Sequence, residues 1–264
     1  MDLSYILADP SGNTTAFVLS PVDPARYGPV ARAVMQALDA EQVAFVHHSR
    51  MDMMGGEFCG NASRCFALWQ ALHRPDGLSL LPLEAPREET VTVSGAPRPL
   101  SVLLAPGGAP GAYRACIRMP LPLRMLPLEE SSLGPCTLVE YPGISHLVLE
   151  DCPPAEDHIS LASALLARLR AESGCFGLLY LEGAAMRPLV HVRDTGTLVW
   201  ESSCASGTCA AAAALALRQN SPLTLELFQP GGSLTAKADV KNGVLTALSL
   251  DGPVTFPRSG VLAL

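Results

Sequence analysis

A chain of 264 residues fits one large domain or two modest ones of roughly 100 to 200 residues each. Apolar residues make up 48% and charged residues 16%, which supplies a sizeable buried core and excludes a disordered chain. Twenty-five acidic against 18 basic side chains give a net charge of −7 without any Lys/Arg cluster, which excludes a nucleic-acid-binding surface.

In chain order, the pattern predicts a strand over 4–8, a turn at Asp9-Pro10-Ser11-Gly12-Asn13 and a second strand over 16–19. Asp23-Pro24 starts a helix, Asp as N-cap and Pro in the first turn, with Val30, Val34 and Leu38 as its buried stripe. A strand over 44–47 leads into Gly55-Gly56-Glu57-Phe58-Cys59-Gly60-Asn61-Ala62-Ser63-Arg64-Cys65. A helix then runs on through Phe66, Trp69 and Leu72 until Arg74-Pro75-Asp76-Gly77 stops it. Strands follow over 90–93, 100–104 and 113–118. The proline-rich stretch 119–127 has neither helical nor strand period and reads as a linker. Beyond it the order repeats: strands to about 150, a helix over 155–171, and strands over 178–181 and 189–192. A second cysteine segment, Glu201-Ser202-Ser203-Cys204-Ala205-Ser206-Gly207-Thr208-Cys209, opens a helix to about 218, and strands over 223–227, 233–240 and 244–250 follow. The expected domains are 1–118, with Cys59, and 119–264, with Cys204, the last strand being free to return to the first domain.

The two cysteine segments are versions of one device. Each sets a thiol before small, turn-forming residues and an apolar helix, at the positive helix end where a thiolate is favoured. Thiols on opposite sides of one carbon can take a proton from one face and return it on the other, which is the chemistry of a racemase. The amides of Gly60, Asn61, Ala205 and Ser206, ahead of the intrahelical ladder, suit a carboxylate. The remaining cysteines, Cys65, Cys116, Cys136, Cys152, Cys175 and Cys209, read as small packing residues. Met1-Asp2-Leu3-Ser4-Tyr5 lacks the basic start of a signal peptide, and the longest apolar run, 209–217, is about half of the roughly 20 residues a membrane span needs. The expectation is a cytoplasmic protein with no membrane or nucleic-acid partner and no disulfides. No Cys-x-x-Cys pair occurs, and adjacent His47 and His48 would point to opposite faces of a strand, so no metal is expected. The two lysines, Lys237 and Lys241, lie in a late polar region away from any phosphate-binding loop, which argues against pyridoxal phosphate, and no cofactor is expected.

On these residues the chain resembles the diaminopimelate epimerase-like superfamily. Cys59-Gly60-Asn61-Ala62-Ser63-Arg64-Cys65 is similar to its first motif nearly residue for residue, and Cys204-Ala205-Ser206-Gly207-Thr208 to its second more loosely. Gly12-Asn13-Thr14-Thr15-Ala16-Phe17 and Gly143-Ile144-Ser145-His146 resemble two further segments. The resemblance implies an α/β fold of the α+β type: two pseudo-symmetric domains, each a curved sheet around a central helix. It also implies Cys59 and Cys204 as catalytic acid/bases, with Asn13, Gly60, Asn61, Ala205, Ser206 and His146 binding substrate. Diaminopimelate epimerases carry a Glu-Arg-Gly segment where this chain has Thr195-Gly196-Thr197-Leu198-Val199-Trp200-Glu201, so the substrate end differs. Glu57 and Glu201, close ahead of the two thiols, suit an ammonium or a hydrogen-bonding side chain, and Trp200 suits a planar ring; core packing and helix capping are the plain alternatives. The Gly-Gly-Glu-Phe-Cys-Gly-Asn-Ala run looks like histidine racemases that feed metallophore synthesis. The expectation is a cofactor-independent amino-acid racemase whose small-molecule substrate is histidine or another polar or basic amino acid, with a homodimer compatible. Its alternatives are a diaminopimelate epimerase, a phenazine-pathway-like double-bond isomerase, a proline-racemase-like enzyme and a thiol redox protein.

Overall fold

Strands whose side chains alternate between apolar and polar dominate the chain, and the computed structural model, which describes residues 1–129, 131–171, 174–192 and 197–264, wraps them around two helices. The chain divides into two units, Met1–Arg118 with Asp251–Leu264, and Met119–Leu250.

In the first unit β1 (Asp2–Asp9) and β2 (Thr15–Val18) form an antiparallel hairpin. Its turn is made by Ser11 (φ 75°) and Gly12 (φ 86°). The helix expected at Asp23 begins as a 3-10 turn over Pro24–Arg26, capped by the Asp23 side chain, and becomes α1 (Tyr27–Leu38) one turn later. Val30, Val34 and Leu38 face the core as expected. The helix returns the chain to β3 (Gln42–His47), parallel to β2 with Thr15 opposite Gln42. A tight turn with His48 at φ 52° leads to β4 (Arg50–Met53), a short strand that the pattern did not disclose. After α2 (Gly60–Leu72), β5 (Arg87–Val93) joins β4 in parallel, and β6 (Leu100–Pro106) and β7 (Ala112–Arg118) complete a meander. The far half of β16 (Val244–Ala263) pairs antiparallel with β1, and β16 also neighbours β7.

The second unit repeats this order. β8 (Arg124–Leu128) pairs with β9 (Cys136–Tyr141), so the segment expected as a linker ends in a strand: backbone pairing overrides its prolines because Pro127 sits in an edge strand. β10 (Ile144–Glu150) follows β9 through a hairpin, α3 (His158–Arg168) crosses over, and β11 (Cys175–Glu182) lies parallel to β10 with His146 opposite Gly177. β12 (Ala185–Val192) carries a second short strand that the pattern missed, β13 (Thr197–Trp200). After α4 (Ala205–Gln219) come β14 (Leu223–Gln229), parallel to β12, then β15 (Gly232–Lys241) and the near half of β16. Hairpin, parallel crossover, hairpin, buried helix and second parallel step therefore occur in the same sequence twice.

The central helices explain the segregation of residue types. Eleven of the 13 residues of α2 are buried, which marks a helix surrounded by its sheet rather than lying on it. It packs on β5, β6, β7 and β1, while α4 packs on β15, β14 and β10. Phe66 and Leu68 are fully buried, and each such side chain contributes about 1.5–3 kcal/mol. In α4 the run Ala210–Ala213, fully buried, combines high helix propensity with a surface small enough for close approach of the strands. Among the described residues, no helix is long and apolar enough to cross a membrane.

Candidate active site

Cys59 is the N-cap of α2, in extended conformation (φ −125°, ψ 113°), and its sulfur turns back to accept the Ala62 N–H at 3.4 Å. The loop before it is clipped by Ser94, which accepts the Met53 N–H and donates to the Glu57 carbonyl, each at 2.8 Å. Gly95, at φ +70° in the turn after β5, lets that turn press on the loop: a Cβ there would stand 2.2 Å from the Phe58 nitrogen. A second donor comes from β3, where Gln42 Nε2 lies 3.4 Å from Cys59 Sγ and 2.8 Å from both Asn13 Oδ1 and Thr15 Oγ1. Asn13 also accepts from Asn61 Nδ2 (3.2 Å) and donates to Glu41 Oε2 (2.7 Å). Arg64 donates to Asn61 Oδ1 at 2.9 Å. Cys59 is partly exposed, Asn13 and Asn61 are buried, and Gly60 is the first residue of the helix.

Cys204 is the N-cap of α4 in nearly the same conformation (φ −120°, ψ 110°). Gln229 anchors it, accepting the Cys204 N–H at 2.8 Å and donating to Thr208 Oγ1 at 3.0 Å, while that hydroxyl donates to the Cys204 carbonyl at 2.7 Å. Its sulfur lies 3.7 Å from Ser206 Oγ, and Ser206 Oγ is 2.8 Å from His146 Nε2. A Cβ at Gly207 would come within 3.1 Å of the sulfur, so the lack of a side chain keeps the first helical turn close to it. Burial pushes the Cys204 thiol well above its ordinary range, the Glu201 carboxylate adds to this, and Ser206 and the Gly207 amide oppose it. His146 is fully buried, and burial lowers its imidazole to about 3, so the ring is neutral.

The structure thus gathers Asn13, Gly60 and Asn61 around Cys59, and Glu201, Ala205, Ser206 and His146 around Cys204. The Glu57 carboxylate folds back onto the Gly55 N–H at 2.9 Å, and burial raises its pKa. Trp200 is held by its own neighbours, donating to Glu156 at 3.0 Å with the Arg187 guanidinium 5.0 Å above its ring, and it lines a pocket with Glu201, Arg187, Pro188, Ser202 and Pro230. Of the stretch that replaces the Glu-Arg-Gly segment, Thr195 and Gly196 lie outside the described residues. His47 ends β3 and bonds Tyr27, whereas His48 belongs to the turn. Among the described residues, no three His, Cys, Asp or Glu side chains are grouped to hold a metal. Glu41, Gln42 and Arg64 were not singled out from the sequence. Arg64 alone carried a signal, as a charged residue inside an apolar helix.

A family model described as "Histidine racemase CntK N-terminal domain" matches residues 2–262. The chain belongs to the histidine racemase family. It is 31% identical over 267 residues to a histidine racemase of Fusobacterium nucleatum, a match covering 98% of this chain and 95% of that relative. Among solved structures, a predicted epimerase from Pseudomonas aeruginosa matches with a TM-score of 0.63 at 15% identity, over 99% of both chains. A hydroxyproline epimerase from Agrobacterium vitis matches with a TM-score of 0.62 at 11% identity, over 100% of this chain and 93% of that one. These two share the fold. With its family, the chain is an isomerase of the racemase and epimerase class.

Proposed function

We propose that this amino-acid racemase inverts the α-carbon of histidine without a cofactor, with Cys59 and Cys204 as its two acid/bases. The observation that carries the reading is the matched position of the two thiols. Each caps the buried central helix of a unit built in the same strand order, in a chain of the histidine racemase family.

In this reading the two sulfurs rest in different forms. Cys59 Sγ receives two N–H donors, which suits a thiolate. Cys204, buried beside the Glu201 carboxylate, keeps its proton. In one direction Cys59 removes the α-proton and Cys204 delivers its own to the opposite face; in the other the roles exchange. The amides of Gly60, Asn61, Ala205 and Ser206 hold the α-carboxylate and stabilise the charge that develops as the proton leaves. Glu201 receives the ammonium or an imidazole N–H, with Trp200 as the planar wall of its pocket. Lys237 and Lys241 are both exposed on β15, unlike a buried Schiff-base lysine, which supports cofactor independence. The role of supplying metallophore synthesis belongs to the same reading.

The test is α-proton exchange of L-histidine in deuterium oxide, followed by loss of its proton signal. The expected result is exchange and racemisation in the parent, reduced at least about 100-fold in Cys59→Ser and in Cys204→Ser. Undiminished exchange in both variants overturns the mechanism. Exchange of diaminopimelate in preference to histidine overturns the substrate.

A further inference from the structure

We infer that Arg64 is a positioning residue for the Cys59 half of the site: it fixes the Asn61 amide and supplies the buried positive charge against which Cys59 holds a thiolate. The inference rests on the reading of Cys59 as an acid/base and deepens it.

Arg64 is fully buried and heads the large, fully buried side chains among the described residues. A buried guanidinium ordinarily needs a carboxylate, because the charge costs several kcal/mol to desolvate. The hydrogen bonds of Arg64 go instead to neutral oxygens: Asn61 Oδ1 at 2.9 Å, Gly252 O at 2.9 Å, Ala115 O at 3.4 Å and Pro253 O at 3.5 Å. Its Nε has no acceptor. Titratable and charged neighbours bear on this charge and on the thiols beside it. Asp251 of β16 is ion-paired with Arg114 of β7. Cys65 of α2 is forced to stay a neutral thiol by burial, with Asp9 of β1 adding to that effect. Cys116 of β7 and Cys59 complete the set. Cys59 has two N–H donors on its sulfur, from Gln42 and Ala62.

Guanidinium groups only donate, so Arg64 forces Asn61 to present its oxygen to it and its NH2 elsewhere. That NH2 goes to Asn13 Oδ1, which also takes the Gln42 amide, and Gln42 reaches Cys59 Sγ. Arg64 thus sets the Asn61 amide, and the Glu41 carboxylate, accepting from Asn13 Nδ2 at 2.7 Å, holds the next amide in the same sense. The second unit carries different residues at the matching positions. The residue five places after Cys204 is the buried Cys209, and Gly177 stands opposite His146 where Gln42 stands opposite Thr15.

The experiment measures alkylation of each cysteine by iodoacetamide against pH, resolved by peptide mass spectrometry on the full chain. Arg64→Met and Asn61→Asp are compared with the parent, the latter setting a carboxylate against the guanidinium without removing it. The Cys59 midpoint is expected to rise by about one to three pH units in both variants, with that of Cys204 unmoved. Arg64→Lys, which keeps the charge and loses the fork, is expected to retain the Cys59 midpoint within about half a unit and to lose kcat more than KM. If Arg64→Met does not fold, Asn61→Asp decides alone. An unmoved Cys59 midpoint in the folded variants overturns the inference, as does an equal shift at Cys204. A shifted midpoint in a protein that leaves histidine untouched upholds Arg64 and sinks the proposed substrate, so the two failures are separable.

Discussion

Gln42 serves three acceptors with one amide, and only one of them is the Cys59 sulfur. Replacing it with leucine keeps the bulk and removes the donor, so the thiolate proposed for Cys59 loses a stabilising contact. Gln42→Leu is expected to lower kcat about tenfold, the scale of one hydrogen bond to a charged group, with a smaller change in KM. Initial rates of histidine racemisation check this, and a change confined to KM would assign Gln42 to substrate binding instead. His146 makes a second prediction, on stability. Its imidazole is lowered to about 3 in the folded chain and titrates near 6.5 when unfolded. Between those values the unfolded chain binds the extra proton. The stability contribution is therefore fully present above about pH 6.5 and is lost as pH falls toward 3, by at most about 1.4 kcal/mol per pH unit. A plot of Tm against pH is expected to be flatter between pH 6 and 4 for His146→Gln than for the parent; parallel profiles would show that this group does not drive the loss.

At the scale of elements, the head of α2 depends on the turn after β5, which presses on its approach loop. Gly95 occupies a left-handed conformation, and a Cβ there would run into the Phe58 backbone. Gly95→Ala is expected to cost about 2 kcal/mol or more, read from the urea midpoint, and to reduce activity further by displacing Cys59. A stable, fully active variant would show that the loop tolerates the shift. The same elements show what a sequence discloses. β5, β6, β14 and β15 alternate buried and exposed residues, and their period of two was readable. The helix starts at Gly60 and Ala205 were readable from small, turn-forming residues ahead of apolar runs. β4 and β13 were not, because four residues are too few to establish a period. The second half of β16 was hidden by Gly252, Pro253 and Pro257, which break the alternation where the strand continues. Glu41 and Gln42 lay outside every motif, because only the parallel register of β2 and β3 brings them to Asn13 and Cys59.

Across the whole molecule, the repeat is one of topology far more than of side chains: the same strand order carries Gln42 and Thr15 in one unit, and Gly177 and His146 in the other. The return of the chain end to β1 closes the first unit, since β16 supplies seven register partners of β1 and the Gly252 and Pro253 carbonyls that accept from Arg64. Truncation after Leu250 is expected to leave the amides of β1–β7 exchanging as in an unfolded chain while those of β9–β12 stay protected. Hydrogen-exchange mass spectrometry distinguishes this from a first unit that folds without its last strand. A consequence follows for synthesis on the ribosome. Domains usually finish in the order in which they emerge, at roughly 5–20 residues per second. Here Met1–Arg118 must wait for all of Met119–Leu250 to be translated, on the order of ten seconds, with β1 lacking a neighbour on one edge. The nascent N-terminal half is thus an unfinished sheet that needs shielding from its neighbours until the tail arrives.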